Sequence, residues 1–244
     1  IPMIVTEHSS KLNTPYPHPK DEQIAVASYK QADLLIAVSS ALAKNISRLS
    51  PHQPICIPNI VAIDFTFIPH LPHGEFHFVS TGNLISGKRM ELLISAFTKF
   101  RHHHPNAKLT IFGDGELRPL LEKQISANGL EDAVRLMGVC THKQMAKIYE
   151  TGDCFVLASA SETFGVAYIE AMAAGLPVIA TKCGGPEDFV NDTNGILIPV
   201  DDKDALVNAM EFMSSNQALY NRERISKEII ERFPPNAVAE KLLA

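Results

Sequence analysis

The chain has 244 residues, with 22 Lys plus Arg against 27 Asp plus Glu and a formal net charge of −5. Hydrophobic residues at 45% and charged residues at 20% are soluble-globular proportions, which excludes a disordered, collagenous or disulfide-scaffold chain. There is no basic excess to drive counterion release from a nucleic acid, and no apolar run reaches the roughly 18 residues needed to span a bilayer.

Ile1 stands first in place of Met, and residues 1–5 read as a strand and not as a signal peptide. The expectation is a fragment whose beginning is missing. Residues 3–6 and 34–38 read as strands, Ser39 or Ser40 as the cap of a helix reaching about Ile46, and residues 55–57 as a third short strand. Residues 59–74 form a Pro- and His-containing connection without period, and a domain boundary falls there. From Phe76 onward strands alternate with helical patterns: strands at 76–81, 109–112, 134–137, 154–157, 178–181 and 196–199. Between them apolar residues recur at helical spacing, as in Met90, Leu93, Ala96, Phe97 and Phe100. Helices follow around Leu117–Ile125, Met145–Tyr149, Gly165–Ala174 and Asp204–Met213. Such alternation predicts a doubly wound parallel α/β sheet with helices on both faces. The stretch 225–244 is amphipathic but broken at Pro234 and Pro235, which predicts two helices. Cys56, Cys140, Cys154 and Cys183 lack zinc or redox spacing and read as buried free thiols of a reducing compartment.

In an open parallel sheet, ligands sit beyond the carboxyl ends of the strands, so the strand-to-helix turns hold the candidate chemistry. The first, Gly82-Asn83-Leu84-Ile85-Ser86-Gly87-Lys88-Arg89, places Lys88 and Arg89 at a helix start, where cations are unfavourable unless an anion sits there. A solvated loop with a basic edge is the equal alternative. The second, Gly113-Asp114-Gly115, starts like a dinucleotide fingerprint, but Arg118 occupies the place of the third glycine; a tight packing turn is the better reading. The third runs from Ser159 to Ala180. A small-residue loop carries Glu162, a helix starts near Phe164 or Gly165, and Glu170 lies in its second turn among Ile169, Ala171 and Met172. Backbone N–H groups from Thr163 to Val166 are free to hold phosphate or sugar oxygens, and a carboxylate in such apolar company needs donors, which sugar hydroxyls supply. Arg101-His102-His103-His104 reads as a solvated helix C-terminus and not as a metal tract.

The segment from Glu162 to Glu170, with seven residues between the acids, resembles the E-x7-E signature of retaining glycosyltransferases of family GT4, which have the two-domain GT-B architecture. The likeness extends in order along the chain. Ile57-Pro58-Asn59-Ile60-Val61 with Asp64 resembles the interdomain junction, Gly82 through Lys88 the phosphate loop, and Ile111 to Gly115 and Leu136 to Val139 the later turns. Gly184, Gly185 and Glu187, then Asn194-Gly195-Ile196-Leu197, resemble the segment after the signature.

The resemblance implies two Rossmann-like domains facing each other across a cleft. Residues 1–59 are then the remnant of an N-terminal acceptor-binding domain, 60–75 a linker, 76–222 a complete domain for a nucleoside-diphosphate sugar, and 223–244 helices crossing back to the first domain. It assigns Glu162, Lys88 and His8 to catalysis. Glu162 contacts the donor sugar, Lys88 neutralises the leaving diphosphate, and His8 lies near the sugar. Glu170 binds the ribose hydroxyls, the backbone of Thr163, Phe164 and Gly165 touches sugar and diphosphate, and the backbone near Met137 and Val139 reads the base. Gly82 and Asn83 complete the donor loop; Asn83 departs from the family's usual Arg, and Arg89 is the expected substitute for that charge. The implied partners are a UDP- or GDP-linked sugar as co-substrate, with no metal and no further cofactor, and a glycan or lipid-linked acceptor. The implied place is the cytoplasm, with peripheral contact at the inner face of the membrane through the missing N-terminal part. The rival readings are a non-catalytic sugar-nucleotide-binding protein and a sugar-nucleotide epimerase of GT-B architecture. A dehydrogenase is disfavoured by the broken glycine fingerprint.

Overall fold

The computed structural model describes residues 2–14, 16–62, 65–67, 69–70, 74–236 and 238. Ile1, Asp64 and most of the expected second terminal helix, Leu243 included, lie outside the described residues. The elements run β1 (Ile4–Glu7), α1 (Pro19–Tyr29), β2 (Leu34–Ala37), α2 (Ser40–Ser47), β3 (Ile55–Cys56), β4 (His77–Thr81), α3 (Met90–Arg101) and β5 (Lys108–Phe112). They continue with α4 (Arg118–Ala127), β6 (Val134–Leu136), α5 (His142–Thr151), β7 (Cys154–Leu157), α6 (Val166–Ala173), β8 (Val178–Thr181), β9 (Gly195–Ile198), α7 (Lys203–Ser215) and α8 (Arg222–Arg232).

Two all-parallel sheets result, one of three strands ordered β1-β2-β3 and one of six ordered β6-β5-β4-β7-β8-β9. The α/β class is that of a Rossmann-like, GT-B type fold. The interior strands β7 and β8 are buried at every position, as continuous apolar runs covered on both faces must be. Phe78 of β4 meets Phe100 of α3 edge to face at 5.3 Å, and Phe155 of β7 meets Tyr168 of α6 at 5.4 Å. The Tyr168 hydroxyl is buried and donates to the Leu157 carbonyl at 2.7 Å, which ties α6 to the end of its own strand.

Helix α1 is absent from the sequence reading. Its N-cap is His18, whose Nδ1 accepts from Lys20 N, and Pro19 starts its first turn. Only Ala25 and Tyr29 are buried, so the apolar stripe that marks a helix in sequence is too thin to register. The cysteines also depart from expectation: Cys154 alone is buried, Cys140 and Cys183 are half-buried, and Cys56 is exposed. Strand β3 is an edge strand with both residues exposed, which explains Cys56.

The two sheets meet through polar contacts. Ser39 Oγ caps α2 on Leu42 N, while Ser40 at the start of that helix bonds Asp188 through both its N–H and its hydroxyl. Arg232 at the end of α8 donates to the Asp188 carbonyl at 2.6 Å, and Val61 N donates to the Phe233 carbonyl at 3.1 Å. Helix α8 itself packs on α6, with Ile225 and Ile229 buried and Ser226 Oγ donating to the Ala173 carbonyl.

Candidate active site

Strand order decides where a ligand can enter. From β4 the chain moves outward through β5 to β6, then returns to the other side of β4 with β7 and moves outward through β8 to β9. The reversal lies between β4 and β7, and the crevice beyond the carboxyl ends of such a strand pair is the binding position of open α/β sheets. The loop after β4 is 82–89 and the loop after β7 is 158–165. Both motif loops therefore border the same crevice, and they touch: Ala160 N donates to the Gly87 carbonyl at 2.9 Å.

Glu162 and Lys88 come together there. Lys88 Nζ lies 2.6 Å from Glu162 Oε1, and Ser159 Oγ donates to that same oxygen at 2.7 Å. Glu162 is 9% exposed and Ser159 is fully buried. A buried carboxylate is tolerated only with such donors. The peptide of Glu162 is fixed from the next strand, since its N–H donates to the Cys183 carbonyl and its carbonyl accepts from Gly185 N. A Cβ at Gly185 would lie 2.3 Å from Phe164 backbone atoms, so only glycine lets the two turns lie this close.

Helix α6 begins after Gly165, which is left-handed at φ 96°. The backbone N–H groups of Thr163, Phe164, Gly165, Val166 and Ala167 donate to no acceptor among the described residues; the last three belong to the helix start and the first two to the turn before it. Glu170, one turn further on, is half-buried, and its carboxylate has no hydrogen-bond partner among the described residues. Burial raises its carboxyl above the usual carboxylate range, and the charge of His142 offsets part of that.

The remaining expected residues are placed less uniformly. Met137 and Val139 are exposed, on the turn that Gly138 pins to Gly113 through the bond from Gly113 N to the Gly138 carbonyl. The Gly113–Gly115 turn is a packing device: Leu84 N donates to the Asp114 carbonyl and Leu117 N to the Leu84 carbonyl, which braces the 82–89 loop. His8 follows β1 directly and is exposed. Asn83 is exposed and makes no side-chain hydrogen bond to the described residues. Arg89 is engaged elsewhere. Its guanidinium grips Asp201 at 2.6 and 3.2 Å and the Ser86 carbonyl at 2.8 Å. Arg89 and Asp201 are the two non-glycine residues with positive φ, 52° and 58°, among the described residues. The left-handed turn at Arg89 carries its side chain to Asp201, so the charge expected to replace the missing Arg is neutralised by that acid. Residues 101–104 lie at the C-terminus of α3 with His102 and His103 exposed, as the sequence suggests, and His103 and His104 in addition contact the Glu211 carboxylate of α7 at 3.3 and 2.6 Å.

One residue of the site has no signal in the sequence reading. Asn13 closes the 3-10 turn Ser10–Leu12 after β1, and its Nδ2 donates to Ser161 Oγ at 3.0 Å, to the Glu162 carbonyl at 2.8 Å and to the Cys183 carbonyl at 3.2 Å. It links the three-stranded part directly to the Glu162 loop. An isolated Asn 149 positions from its partner carries no local pattern.

The sequence matches the family described as "Glycosyl transferases group 1" over residues 63–232, more than two thirds of the chain. This chain belongs to the glycosyl transferases group 1 family. Among curated relatives of this family member, an uncharacterized glycosyltransferase of Methanocaldococcus jannaschii is 30% identical over 163 residues, covering 66% of the chain and 42% of that protein. One subunit of the human phosphatidylinositol N-acetylglucosaminyltransferase is 32% identical over 165 residues, covering 64% of the chain and 34% of that protein. The chain thus spans less than half the length of either. The Anabaena protein HepE, solved in complex with UDP and glucose, superposes with a TM-score of 0.86 at 21% identity, over 99% of this chain and 70% of that one. No helix among the described residues is long and apolar enough to cross a membrane.

Proposed function

We propose that this chain forms the donor side of a retaining glycosyltransferase that moves a hexose-type sugar from a nucleoside diphosphate to a lipid-linked or glycan acceptor. UDP is the favoured nucleotide. Residues 76–222 are the donor domain, 1–59 part of the acceptor domain, 60–75 the linker and 223–244 the segment that returns to the first domain. The observation that carries the reading is the Lys88–Glu162 contact at the switch point, followed by the turn of residues 163–165 and by helix α6 with Glu170.

Breaking the sugar–phosphate bond builds negative charge on the diphosphate and positive charge on the anomeric carbon. Lys88 and the N-terminal N–H groups of α6 stabilise the first. Glu162 faces the sugar, Glu170 accepts from the ribose hydroxyls, and the turn carrying Met137 and Val139 presents backbone to the base. The loop of Gly82 and Asn83 lies against the phosphates, and His8 reaches the sugar from the acceptor side. Arg89 supports the loop through Asp201 and does not reach the ligand. Retention follows from attack on the face that the phosphate leaves, with the leaving phosphate taking the acceptor's proton. The human relative, whose name carries phosphatidylinositol, supports a lipid-linked acceptor, and HepE, solved with UDP and glucose, supports UDP and a hexose.

The test is turnover of UDP-glucose and UDP-N-acetylglucosamine by the full-length polypeptide, read as UDP release in the presence of lipid and glycan acceptors. Glu162→Gln is expected to lower turnover by about a hundredfold or more, the scale of losing one electrostatic group at a reacting centre. Tight UDP-sugar binding without turnover in the unmodified protein would favour the non-catalytic reading instead.

A further inference from the structure

We propose that Ser159 is a positioning residue that keeps Glu162 in place while Lys88 changes partner from Glu162 to the donor diphosphate. The inference rests on the functional reading above and concerns what happens to the Lys88–Glu162 pair when a donor enters.

Two donors converge on one oxygen. Lys88 Nζ and Ser159 Oγ both contact Glu162 Oε1, at 2.6 and 2.7 Å, while no hydrogen bond from the described residues reaches Oε2. The two donors differ in freedom. Ser159 is fully buried at the end of β7, and its own carbonyl accepts from Thr181 Oγ1 at 2.6 Å in the neighbouring strand. Its backbone is tied to the neighbouring strand and its side chain is buried, so it cannot follow a ligand. Lys88 ends a 3-10 turn, its side chain is 24% exposed, and its ammonium sits on a flexible four-carbon stem.

A diphosphate entering the crevice competes with Glu162 for that ammonium. Once Lys88 turns to it, Glu162 keeps a single donor, and a 9% exposed carboxylate without one would be costly and free to rotate. Ser159 supplies that donor from a fixed point. It holds Oε1, which leaves Oε2 open to accept from a sugar hydroxyl. Lys88 then has two uses: it neutralises Glu162 before the donor enters and the leaving group afterwards.

The readout is the ratio of UDP-sugar affinity to UDP affinity, measured by calorimetric titration of this chain with UDP, UDP-glucose and UDP-N-acetylglucosamine. UDP alone does not reach Glu162, so a general loss of structure weakens both ligands equally and leaves the ratio unchanged. Ser159→Ala is expected to lower the ratio about tenfold, the value of a hydrogen bond to a charged group, with UDP affinity within about twofold of the starting value. Glu162→Gln is expected to lower the ratio as well, and adding Ser159→Ala to it should change nothing further, because Ser159 acts only through Glu162. Lys88→Met should weaken UDP yet preserve the ratio, and this variant decides the matter if Ser159→Ala does not fold. An unchanged ratio in Ser159→Ala alongside a lowered one in Glu162→Gln overturns the role of Ser159 alone. So does a ratio that collapses in Lys88→Met. An unchanged ratio in Glu162→Gln, or absence of UDP binding by the unmodified chain, overturns the functional reading beneath it.

Discussion

The two loops that border the crevice are held by opposite means. The loop after β7 is fixed by packing: Ser159 is buried, the Glu162 peptide is bonded to the turn after β8, and Gly185 lies against the backbone of Phe164. The loop after β4 is braced by backbone bonds at Leu84 and Gly87, and its charged end by an ion pair, Arg89 with Asp201, between two residues in left-handed backbone conformations. The first arrangement holds the Glu162 backbone from two sides. The second leaves a lysine anchored at its root, with its tip on the Glu162 carboxylate. A site that must hold one group still and let another move is served by that difference.

The comparison breaks first at Gly185. Gly185→Ala forces a methyl onto Phe164 backbone atoms that cannot yield, and denaturant unfolding should show a loss of about 3 kcal/mol, at the upper end of overpacking costs. Lys88→Ala tests the mobile side. UDP affinity by calorimetry should fall about tenfold, the value of one charge-assisted contact. Asn13→Ala removes the donor that reaches the packed loop from the three-stranded part. The Glu162 and Cys183 carbonyls each keep a backbone donor but lose the Asn13 amide, as does the Ser161 hydroxyl, and stability should drop by about 1 kcal/mol in the same unfolding experiment. Arg89→Ala should cost only about 0.5 kcal/mol, since its pair with Asp201 is solvent-facing, and UDP affinity should change by less than about twofold. A loss equal to that of Lys88→Ala would show that Arg89 leaves Asp201 for the ligand.

Glu170 gives the smallest effect and the most informative sign. Burial raises its carboxyl above the ordinary range, so the protonated form is the one the fold prefers. The stability it contributes is present at acid pH, below its unfolded value, and is lost as pH rises through the raised one. At neutral pH Glu170→Gln should therefore raise the melting temperature by about 1–2 °C while weakening UDP binding. In the unmodified chain UDP affinity should decline as pH falls through the raised value, because only the carboxylate accepts two ribose hydroxyls. Glu170→Gln should flatten that decline.

Much of this site can be read in one dimension because its parts are local. Glu162, the helix start and Glu170 occupy one short stretch, a turn and the helix it leads into. The strands of the larger sheet are visible for the same reason, as continuous apolar runs buried on both faces. Helix α1 is not visible, because two buried residues make no stripe. The ion pair of Arg89 is not visible either, since its partner lies 112 residues away, and a cation on a loop reads the same whether or not an acid folds over it.

Chain order alone determined the alternation of strands and helices, the turns at which chemistry can occur and the placing of Glu162 and Glu170 beside one of them. Periodicity and turn residues are local properties, and neighbouring residues enforce them. Only the tertiary structure decided that the β4 and β7 loops share one crevice, that Lys88 and Ser159 meet on one oxygen of Glu162, that Arg89 is neutralised by Asp201, and that Asn13 joins the two sheets at the Glu162 loop. Each of these depends on which strands become neighbours. That order is settled by how the apolar faces of distant segments bury against one another, a quantity that no single stretch of sequence contains.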